Sequence, residues 1–244
     1  MYLCTMKSTE AIEKRINDIG TGIVFSYSDL QLPPESQMAA AMALSRMVAQ
    51  KKIKKVGKGR FYRPAISRLG EMSPMLDELT KDLLYKDGKR IGYITGMSAF
   101  SQLGLTTQIS SKILIGSRYY RRPMKRGNYE ISFTKQENDL TEESIPLLRI
   151  LDSIKFIREI PACTIDEAVL SLLKIMLKLN SKDIKKLILY SKCYPASVKA
   201  LLGSILEKNG QDYGTLKLQL NPLTRYDLGI LESTLPNKNN WNIR

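Results

Sequence analysis

The sequence predicts an α+β protein that is mostly helical and divided into two domains. Apolar residues recur at helical spacing through most of the 244 residues. Two basic strand pairs with glycine turns interrupt the helices. The net charge of +14 is uneven, because residues 129–244 hold 16 Lys and Arg against 14 Asp and Glu. We therefore predict an N-terminal winged helix-turn-helix at residues 1–65 and a mixed β and helical C-terminal domain at residues 66–244. Residues 63–71 around the boundary are predicted to be a linker.

The N-terminal domain is expected to contain three helices. Residues 9–19 carry isoleucines at helical spacing and predict the first helix. Ser26–Asp29 is typical of a capped helix start and predicts a short second helix. The third helix is predicted from Gln37 to about Gln50, with alanine, leucine and methionine on its apolar face. Together with the hairpin that follows them, these helices would form a complete small module.

A cationic hairpin follows the third helix. Residues 51–63 read KKIKKVGKGRFYR, which predicts two short strands joined by a tight turn at Gly57–Gly59. The segment contains no acidic residue. Its seven cations are Lys51, Lys52, Lys54, Lys55, Lys58, Arg60 and Arg63. A hairpin that follows DNA phosphates gains binding affinity from each cation, whereas a hairpin that docks on a protein does not need seven cations.

We expect this module to bind double-stranded DNA with sequence preference. The third helix is the expected recognition helix, in which Gln37 can contact adenine, Ala41 a thymine methyl group, and Arg46 a phosphate or a guanine. Ser45 lies on the same side of the helix, and the seven hairpin cations are the expected phosphate contacts. Two other interpretations stay open: the alanine-rich helix only packs in the core, or the module docks on another protein.

A second basic region lies in the predicted β-rich part at about residues 89–134. No acidic residue occurs between Asp87 and Glu130. The cations expected to form one patch are Lys112, Arg118, Arg121, Arg122, Lys125 and Arg126. Tyrosines stand among them, and arginine mixed with tyrosine suits phosphate contacts together with base stacking. The patch could equally be a solvated sheet edge protected by charge, or a docking face for an acidic partner.

The next part of the chain is predicted to be helical, at about residues 142–210. Thr164 and Glu167 form a capping-box pattern, which predicts that a helix begins there. The tail beyond this part carries the only tryptophan, Trp241. We expect this side chain to anchor the tail on the domain rather than to form a ligand site.

Composition counts against several function classes. The chain has no histidine, and its three cysteines, including Cys4, are scattered without a C-x-x-C pair. Neither His-dependent nucleophilic catalysis nor a zinc site is therefore expected. Gly116–Ser117 after an apolar strand resembles a nucleotidyltransferase site, but no carboxylate pair follows to hold Mg²⁺. We expect no enzyme activity and no cofactor. Without a run of about 18 apolar residues or a signal peptide, the protein is expected to be cytoplasmic and not in a membrane.

Several segments, taken in order, are similar to a known bacterial family. They are IEKRI, VFSYSDL, ALSRMV, IKKVGKGRFYRP, YITGMSAFSQLGL, KILIGSRYYRR, YPASVKALLGSILE and LNPLTRYDLGI. Over roughly residues 10–235 the chain resembles the AbiEi-like family of antitoxins and transcriptional regulators of type IV toxin–antitoxin and phage-defence operons. The ordered set carries the resemblance, and no single motif does.

This resemblance implies a winged helix-turn-helix that binds inverted repeats in its own promoter and represses it. It also implies a C-terminal antitoxin-like domain that counters a nucleotidyltransferase-like toxin encoded next door, without a stable complex. Gln37–Arg46 and the hairpin cations Lys54, Lys55, Lys58 and Arg60 match the DNA-binding positions of the family. Two alternatives stay open: a module that docks directly on its toxin through the basic middle patch, and a plain regulator without antitoxin activity.

Overall fold

The computed structural model describes residues 11–68 and 70–244. Thr9 and Glu10 of the predicted first helix lie outside the described residues, as does Cys4. Within the described part, the chain is a mixture of helices and several small antiparallel or mixed sheets. The predicted α+β class is confirmed at this level.

The chain divides into two compact units. The first unit combines the residues up to Leu83 with Met124–Glu130, and the second combines Leu84–Pro123 with Ile131–Arg244. The sequence predicted a single boundary, after residue 65. The observed division is therefore not one cut in the chain, because a short internal segment groups with the N-terminal residues.

The first unit begins with two helices and a three-stranded sheet. Its elements in chain order are helix α1 at residues 11–18, strand β1 Val24–Ser26, helix α2 Gln37–Ala49, and strands β2 Lys54–Gly57 and β3 Arg60–Tyr62. The strand order is β1–β3–β2, and both pairs are antiparallel. The predicted third helix and hairpin are confirmed as α2 and β2–β3. The predicted second helix is shorter than expected, since a single 3-10 turn at Ser28–Leu30 takes its place.

One face of each helix and the inner face of the sheet build the core here. Apolar residues of α1 and α2 recur every three or four positions, which places them on the same side of each helix. The buried residues of this core are Ile12, Ile16, Phe25, Leu30, Ala40, Ala43, Leu44, Met47, Ile53 and Phe61. Burial of each large side chain contributes about 1.5–3 kcal/mol. This core holds the outer face of α2 in a defined orientation toward solvent.

The residues after the hairpin continue the first unit. Strands β4 Ala65–Ser67 and β5 Gly70–Met72 pair antiparallel where the sequence predicted a linker. Helix α3 Leu76–Leu84 follows. Leu79 of α3 packs in a second buried cluster with side chains of β2 and β3. This packing gives a physical reason for the unit to extend past residue 65.

A four-stranded sheet forms the β-rich part that the sequence predicted. A small hairpin precedes it, with strands β6 Tyr85–Lys86 and β7 Lys89–Arg90. The further elements in chain order are β8 Gly92–Thr95, helix α4 Met97–Gln102, β9 Lys112–Ser117, β10 Met124–Arg126 and β11 Tyr129–Lys135. The sheet has the order β10–β11–β9–β8, and β8 runs antiparallel to β9 with Gly92 opposite Ser117.

Four helices form the helical part of the second unit. They are α5 Ser144–Lys155, α6 Ile165–Leu177, α7 Ser181–Ser191 and α8 Ala196–Lys208. The predicted capping box is confirmed, because the Thr164 hydroxyl accepts from the Glu167 N–H and the Glu167 carboxylate accepts from the Thr164 N–H at 2.7 Å. Among the described residues, no helix has the length and apolar character to cross a bilayer.

The tail is anchored by Trp241, as expected. Its side chain is fully buried, and its indole N–H donates to Glu207 at 2.9 Å. The ring occupies the space where a Cβ atom on Gly203 of α8 would lie, only 2.0 Å from that position. Glycine at this point lets the tail pack directly against the helix backbone.

Candidate nucleic-acid interface

The solvent face of α2 is unusual for a surface helix. It carries no acidic residue, and Met38 and Met42 expose 73% and 61% of their surface. The other exposed positions of this face are Gln37, Ala41, Ser45 and Arg46. Surface helices normally mix charges of both signs, so an exposed face of methionine, alanine and polar groups with one arginine is suited to contact another molecule. All four predicted α2 residues lie on this face.

A tight turn precedes α2 and sets how the helix begins. The Asp29 carboxylate accepts hydrogen bonds from both the Ser26 N–H and the Ser26 hydroxyl, each at 2.7 Å. The Arg15 guanidinium donates to the backbone carbonyl groups of Leu30 and Gln31. These bonds satisfy the polar groups of the turn and attach it to α1, so the chain enters α2 from a fixed position.

The hairpin turn and the beginning of α2 enclose a groove. This groove has a volume of about 650 Å³. Its polar lining combines Gln37 from α2 with Lys58 and Arg60 from the hairpin and with Ser28 of the tight turn. The structure thus brings predicted helix residues and predicted hairpin residues together on one concave surface. Sequence reasoning missed the contribution of the turn at residues 27–31, which only the folded chain places beside the hairpin.

The hairpin presents Lys58 at its tip. Gly59 has a φ of +65°, a conformation that glycine adopts without strain, and the register shifts between Lys55 and Gly57. The Tyr27 ring packs edge-on against Phe61, with 5.8 Å between the ring centroids. The packing of Tyr27 against Phe61 therefore supports the hairpin turn, while the Lys58 side chain stays exposed.

Four of the seven predicted hairpin cations already have partners within the protein. Lys52 lies 3.9 Å from the Glu13 carboxylate, Lys54 pairs with Glu71, and Arg60 pairs with Asp82 at 2.8 Å. Arg63 donates to the Asn17 side chain at 3.3 Å. The cations of α2 and the hairpin that have no hydrogen-bond or ion-pair partner among the described residues are Arg46, Lys51, Lys55 and Lys58. We refer to these four as the free cations.

Asp82 of α3 links two arginines inside the first unit. It accepts hydrogen bonds from Arg60 and Arg126, the latter at 2.9 Å through Nη2. Arg126 also donates to the Leu79 carbonyl at 2.6 Å and exposes only 7% of its surface. Burial acts to raise the pKa of Asp82, but the hydrogen bond and charge of Arg126, with the charge of Arg60, outweigh it and hold the pKa below its ordinary value.

The second basic patch needs correction. Arg126 was expected at the surface but is buried on Asp82, because α3 supplies a carboxylate that the local sequence does not reveal. Lys112 begins β9 and Arg118 follows its last residue, so about 20 Å of extended strand separates them. Lys125 pairs with Glu130 at 3.1 Å. Arg126 is therefore not part of an exposed patch, and Lys112 and Arg118 lie at opposite ends of β9.

One short segment of that region remains exposed. The loop of residues 118–123 reads RYYRRP and connects β9 to β10. Arg118 pairs with Asp139. The Tyr119 and Tyr120 rings expose 57% and 90% of their surface. We call this segment the tyrosine–arginine loop.

Gly116 and Ser117 have structural roles in the fold. A Cβ atom on Gly116 would lie 2.4 Å from the Tyr93 ring, so glycine makes room for that side chain. The Ser117 hydroxyl is buried and donates to the Ile91 carbonyl at 3.3 Å. The Gly–Ser pair is thus explained by packing on β8.

A buried carboxylate lies at the centre of the second unit. Asp152 of α5 exposes 1% of its surface and accepts hydrogen bonds from the hydroxyl groups of Tyr93, Thr95 and Tyr194 at 2.6–2.8 Å. Burial, the strongest influence, raises the pKa of Asp152 above its ordinary value despite these donors. Gln136 donates to both tyrosine hydroxyls, which closes the network. Because each hydroxyl is satisfied inside the protein, the network is a core feature.

A lysine-rich surface on α6 and α7 was missed in the sequence. Residues 168–206 contain seven lysines and only one acidic residue, Asp183. The exposed lysines on and beside these two helices are Lys174, Lys178, Lys182, Lys185 and Lys192. The net charge of the whole C-terminal half does not reveal these lysines. Their recurrence at helical intervals is a pattern from which this surface could have been predicted. Among the described residues, no group of three His, Cys, Asp or Glu side chains is placed to hold a metal ion.

Comparisons with known proteins identify a family but no activity. A family model described as a family of unknown function, DUF6088, matches residues 11–187, and the chain belongs to this family. No curated protein matches the chain. A crystal structure of the RV2827C protein from Mycobacterium tuberculosis is similar to it at 15% sequence identity and a TM-score of 0.47, over 88% of this chain and 82% of that chain.

Proposed function

We propose that this member of the DUF6088 family is a sequence-specific DNA-binding protein that represses transcription of its own operon. In this proposal the first unit is a winged helix-turn-helix, with α2 as the recognition helix and the β2–β3 hairpin as the wing. The observation that carries it is the groove in which Gln37 of α2 and Lys58 of the hairpin line one acid-free concave surface. Such a surface fits a duplex strand, with a base edge at the helix and phosphates at the hairpin.

The exposed face of α2 supports contact with base edges. Gln37 can bond an adenine in the major groove, and Arg46 can bond a guanine or a phosphate. Met38, Ala41 and Met42 are exposed and can contact thymine methyl groups. Small and flexible side chains allow the helix to approach the floor of the groove closely.

The free cations determine the expected electrostatic contribution to DNA binding. Each phosphate neutralised by a protein cation contributes a slope of about −0.9 in a plot of log K against log salt concentration. Four free cations per chain therefore predict a slope of roughly −3 to −4 for one bound copy. The paired cations Lys52, Lys54, Arg60 and Arg63 would contribute less, since each already has an internal partner.

We further propose an antitoxin role for the C-terminal part, and this part of the proposal rests on the resemblance to the AbiEi-like family. The toxin would be a nucleotidyltransferase encoded in the same operon, and protection would need no stable complex. A second candidate function, direct docking on an acidic partner such as that toxin, is favoured by the lysine-rich surface of α6 and α7. Its exposed leucines Leu177 and Leu189 would add apolar contact.

A titration against the upstream region of its own operon tests the proposal. Fluorescence anisotropy should show tighter binding to that region than to a scrambled duplex of the same length, with the predicted salt slope. Equal affinity for both duplexes would contradict sequence-specific binding. A salt slope near zero would contradict the proposal of DNA binding altogether. Co-expression with the neighbouring gene tests the antitoxin part, because growth should be rescued only when this protein is present.

A further inference from the structure

The tyrosine–arginine loop has side chains that the fold does not use. Tyr119, Tyr120, Arg121 and Arg122 have no side-chain hydrogen bond, ion pair or ring contact among the described residues. Tyr120 exposes 90% of its surface, although tyrosine rings usually bury most of theirs. Tyr119, Tyr120 and Arg122 are exposed and Arg121 is half-buried, and none of the four makes a contact of these kinds that would stabilise the second unit.

The base of the loop is held firmly. Ser117 is buried, and its hydroxyl accepts from the Tyr119 N–H at 3.2 Å while donating to the Ile91 carbonyl. Arg118 forms an ion pair with Asp139, and Pro123 ends the loop. The two rings are therefore presented from an anchored position at the end of β9, which reduces the entropy lost when a ligand binds.

The chemistry of these side chains selects a class of ligand. A phenol ring stacks on the face of a nucleobase, and a guanidinium group binds phosphate through paired N–H donors. Bases inside a duplex are stacked on one another and hide their faces, so exposed rings gain little from double-stranded DNA. An acidic peptide would engage the arginines but would leave the rings without a partner. A single strand offers both unstacked bases and phosphates.

We infer that the tyrosine–arginine loop is a binding site for single-stranded nucleic acid. Tyr119 and Tyr120 stack on bases, and Arg121 and Arg122 bind the adjoining phosphates. No acidic residue between Asp87 and Glu130 opposes the strand. This site belongs to the second unit and does not depend on the duplex-binding role proposed for the first unit.

The test measures anisotropy of labelled RNA and DNA strands of about 12 nucleotides, and of the matching DNA duplex, with the full-length protein. The Tyr119→Ala/Tyr120→Ala variant should lose about tenfold or more in affinity for single strands for each ring that stacks. Tyr119→Phe/Tyr120→Phe should bind almost as the wild type does, since the ring is kept. Arg121→Ala/Arg122→Ala should weaken binding and also reduce the salt slope by about 1.4, since each phosphate contact on a single strand contributes about 0.7. A preference for RNA or for DNA identifies the source of the strand, and either supports the inference.

Control variants separate this site from the rest of the molecule. Tyr85→Ala removes a partly exposed ring that Arg90 already covers at 4.5 Å, and it should leave single-strand binding unchanged. Lys55→Ala/Lys58→Ala should weaken duplex binding and spare single strands. The inference is overturned if the double alanine variant binds single strands as tightly as the wild type. It is also overturned if that variant loses only binding to phosphatidylserine vesicles, which would indicate a membrane surface.

Discussion

Residues 51–63 and residues 112–126 look alike in the sequence, but the folded protein uses them differently. Both are basic and free of acidic residues. In the first region, the hairpin turn meets α2 at one groove, and Lys55 and Lys58 stay free. In the second region, Arg126 is buried on a carboxylate, Lys112 begins β9 and Arg118 follows its end, and Lys125 pairs with Glu130.

This difference shows that a run of cations is not yet a binding surface. The role of a cation depends on the nearest carboxylate, and for Arg60 and Arg126 that carboxylate comes from a distant part of the chain. Asp82 is 22 residues from Arg60 and 44 residues from Arg126. A concave surface with free cations suits a duplex, whereas exposed rings on an anchored loop suit unstacked bases. Substitutions at paired and at free positions should therefore separate structural cations from binding cations.

The largest effect is expected from removing the buried arginine. Arg126→Ala should lower the free energy of unfolding by about 2–3 kcal/mol, less than the loss of a fully buried pair, because Asp82 keeps Arg60 and remains partly exposed. Lys125→Ala, the matched control at the neighbouring position, should change nothing measurable, since that side chain is 79% exposed. Urea unfolding measures both. Equal stability of the two variants would contradict the structural role of Arg126.

The next effect concerns duplex binding by the free cations. Lys55→Ala/Lys58→Ala should weaken binding to the upstream DNA about tenfold at physiological salt and reduce the salt slope by about 2. Lys52→Ala/Lys54→Ala removes the same charge from paired positions and should weaken binding clearly less. Anisotropy titrations at several salt concentrations compare the two. If both variants lose affinity equally, only net charge matters and the groove has no special role.

A more local effect, confined to one base position, is expected at the recognition helix. Gln37→Ala should reduce the discrimination between the preferred sequence and single-base variants by about 1–3 kcal/mol at one position. Binding to scrambled DNA should stay the same, because Gln37 carries no charge. Gln50→Ala, an exposed glutamine at the end of α2, is the control and should leave the preference intact. Selection from a randomised duplex pool would reveal the change, and an unaltered preference would exclude Gln37 from base contact.

The smallest effect is a difference in pH dependence between the half-buried Asp82 and the buried Asp152. The pKa of Asp82 is lowered in the folded protein, so its contribution to stability is present above its unfolded pKa and is lost as the pH falls through the folded pKa. The pKa of Asp152 is raised, so its contribution is present below its unfolded pKa and is lost as the pH rises through the folded pKa.

Asparagine variants test these opposite signs. Asp82→Asn should reduce the loss of stability that occurs as the pH falls. Asp152→Asn should reduce the loss of stability that occurs as the pH rises. Denaturation followed by Trp241 fluorescence reports the second unit, since the chain has no other tryptophan. Circular dichroism reports both units. A pH profile of Asp152→Asn that matches the wild type would show that the hydroxyl donors keep this carboxyl ionised.

Local patterns in the sequence were sufficient for most of the secondary structure. Helix α2 and the β2–β3 hairpin follow from apolar periodicity and a glycine turn, and α6 begins at the predicted capping box. The expected short second helix forms as a single 3-10 turn, because the Asp29 carboxylate accepts hydrogen bonds from Ser26 and stabilises that turn. The predicted linker forms strands β4 and β5, whose few residues lack a clear alternation of apolar and polar side chains.

Local sequence patterns were enough to predict most of the helices, the β2–β3 hairpin, the excess of cations and the absence of acidic residues from α2, because each of these depends on residues close together in the chain. Which cations are free could be read only from the folded chain, since Glu13, Glu71 and Asp82 reach the hairpin from elsewhere. The tertiary structure also decided that the turn at residues 27–31 completes the groove, and that Arg126 is buried. Electrostatic pairing and burial depend on distances in space, and a pattern along the chain does not contain those distances.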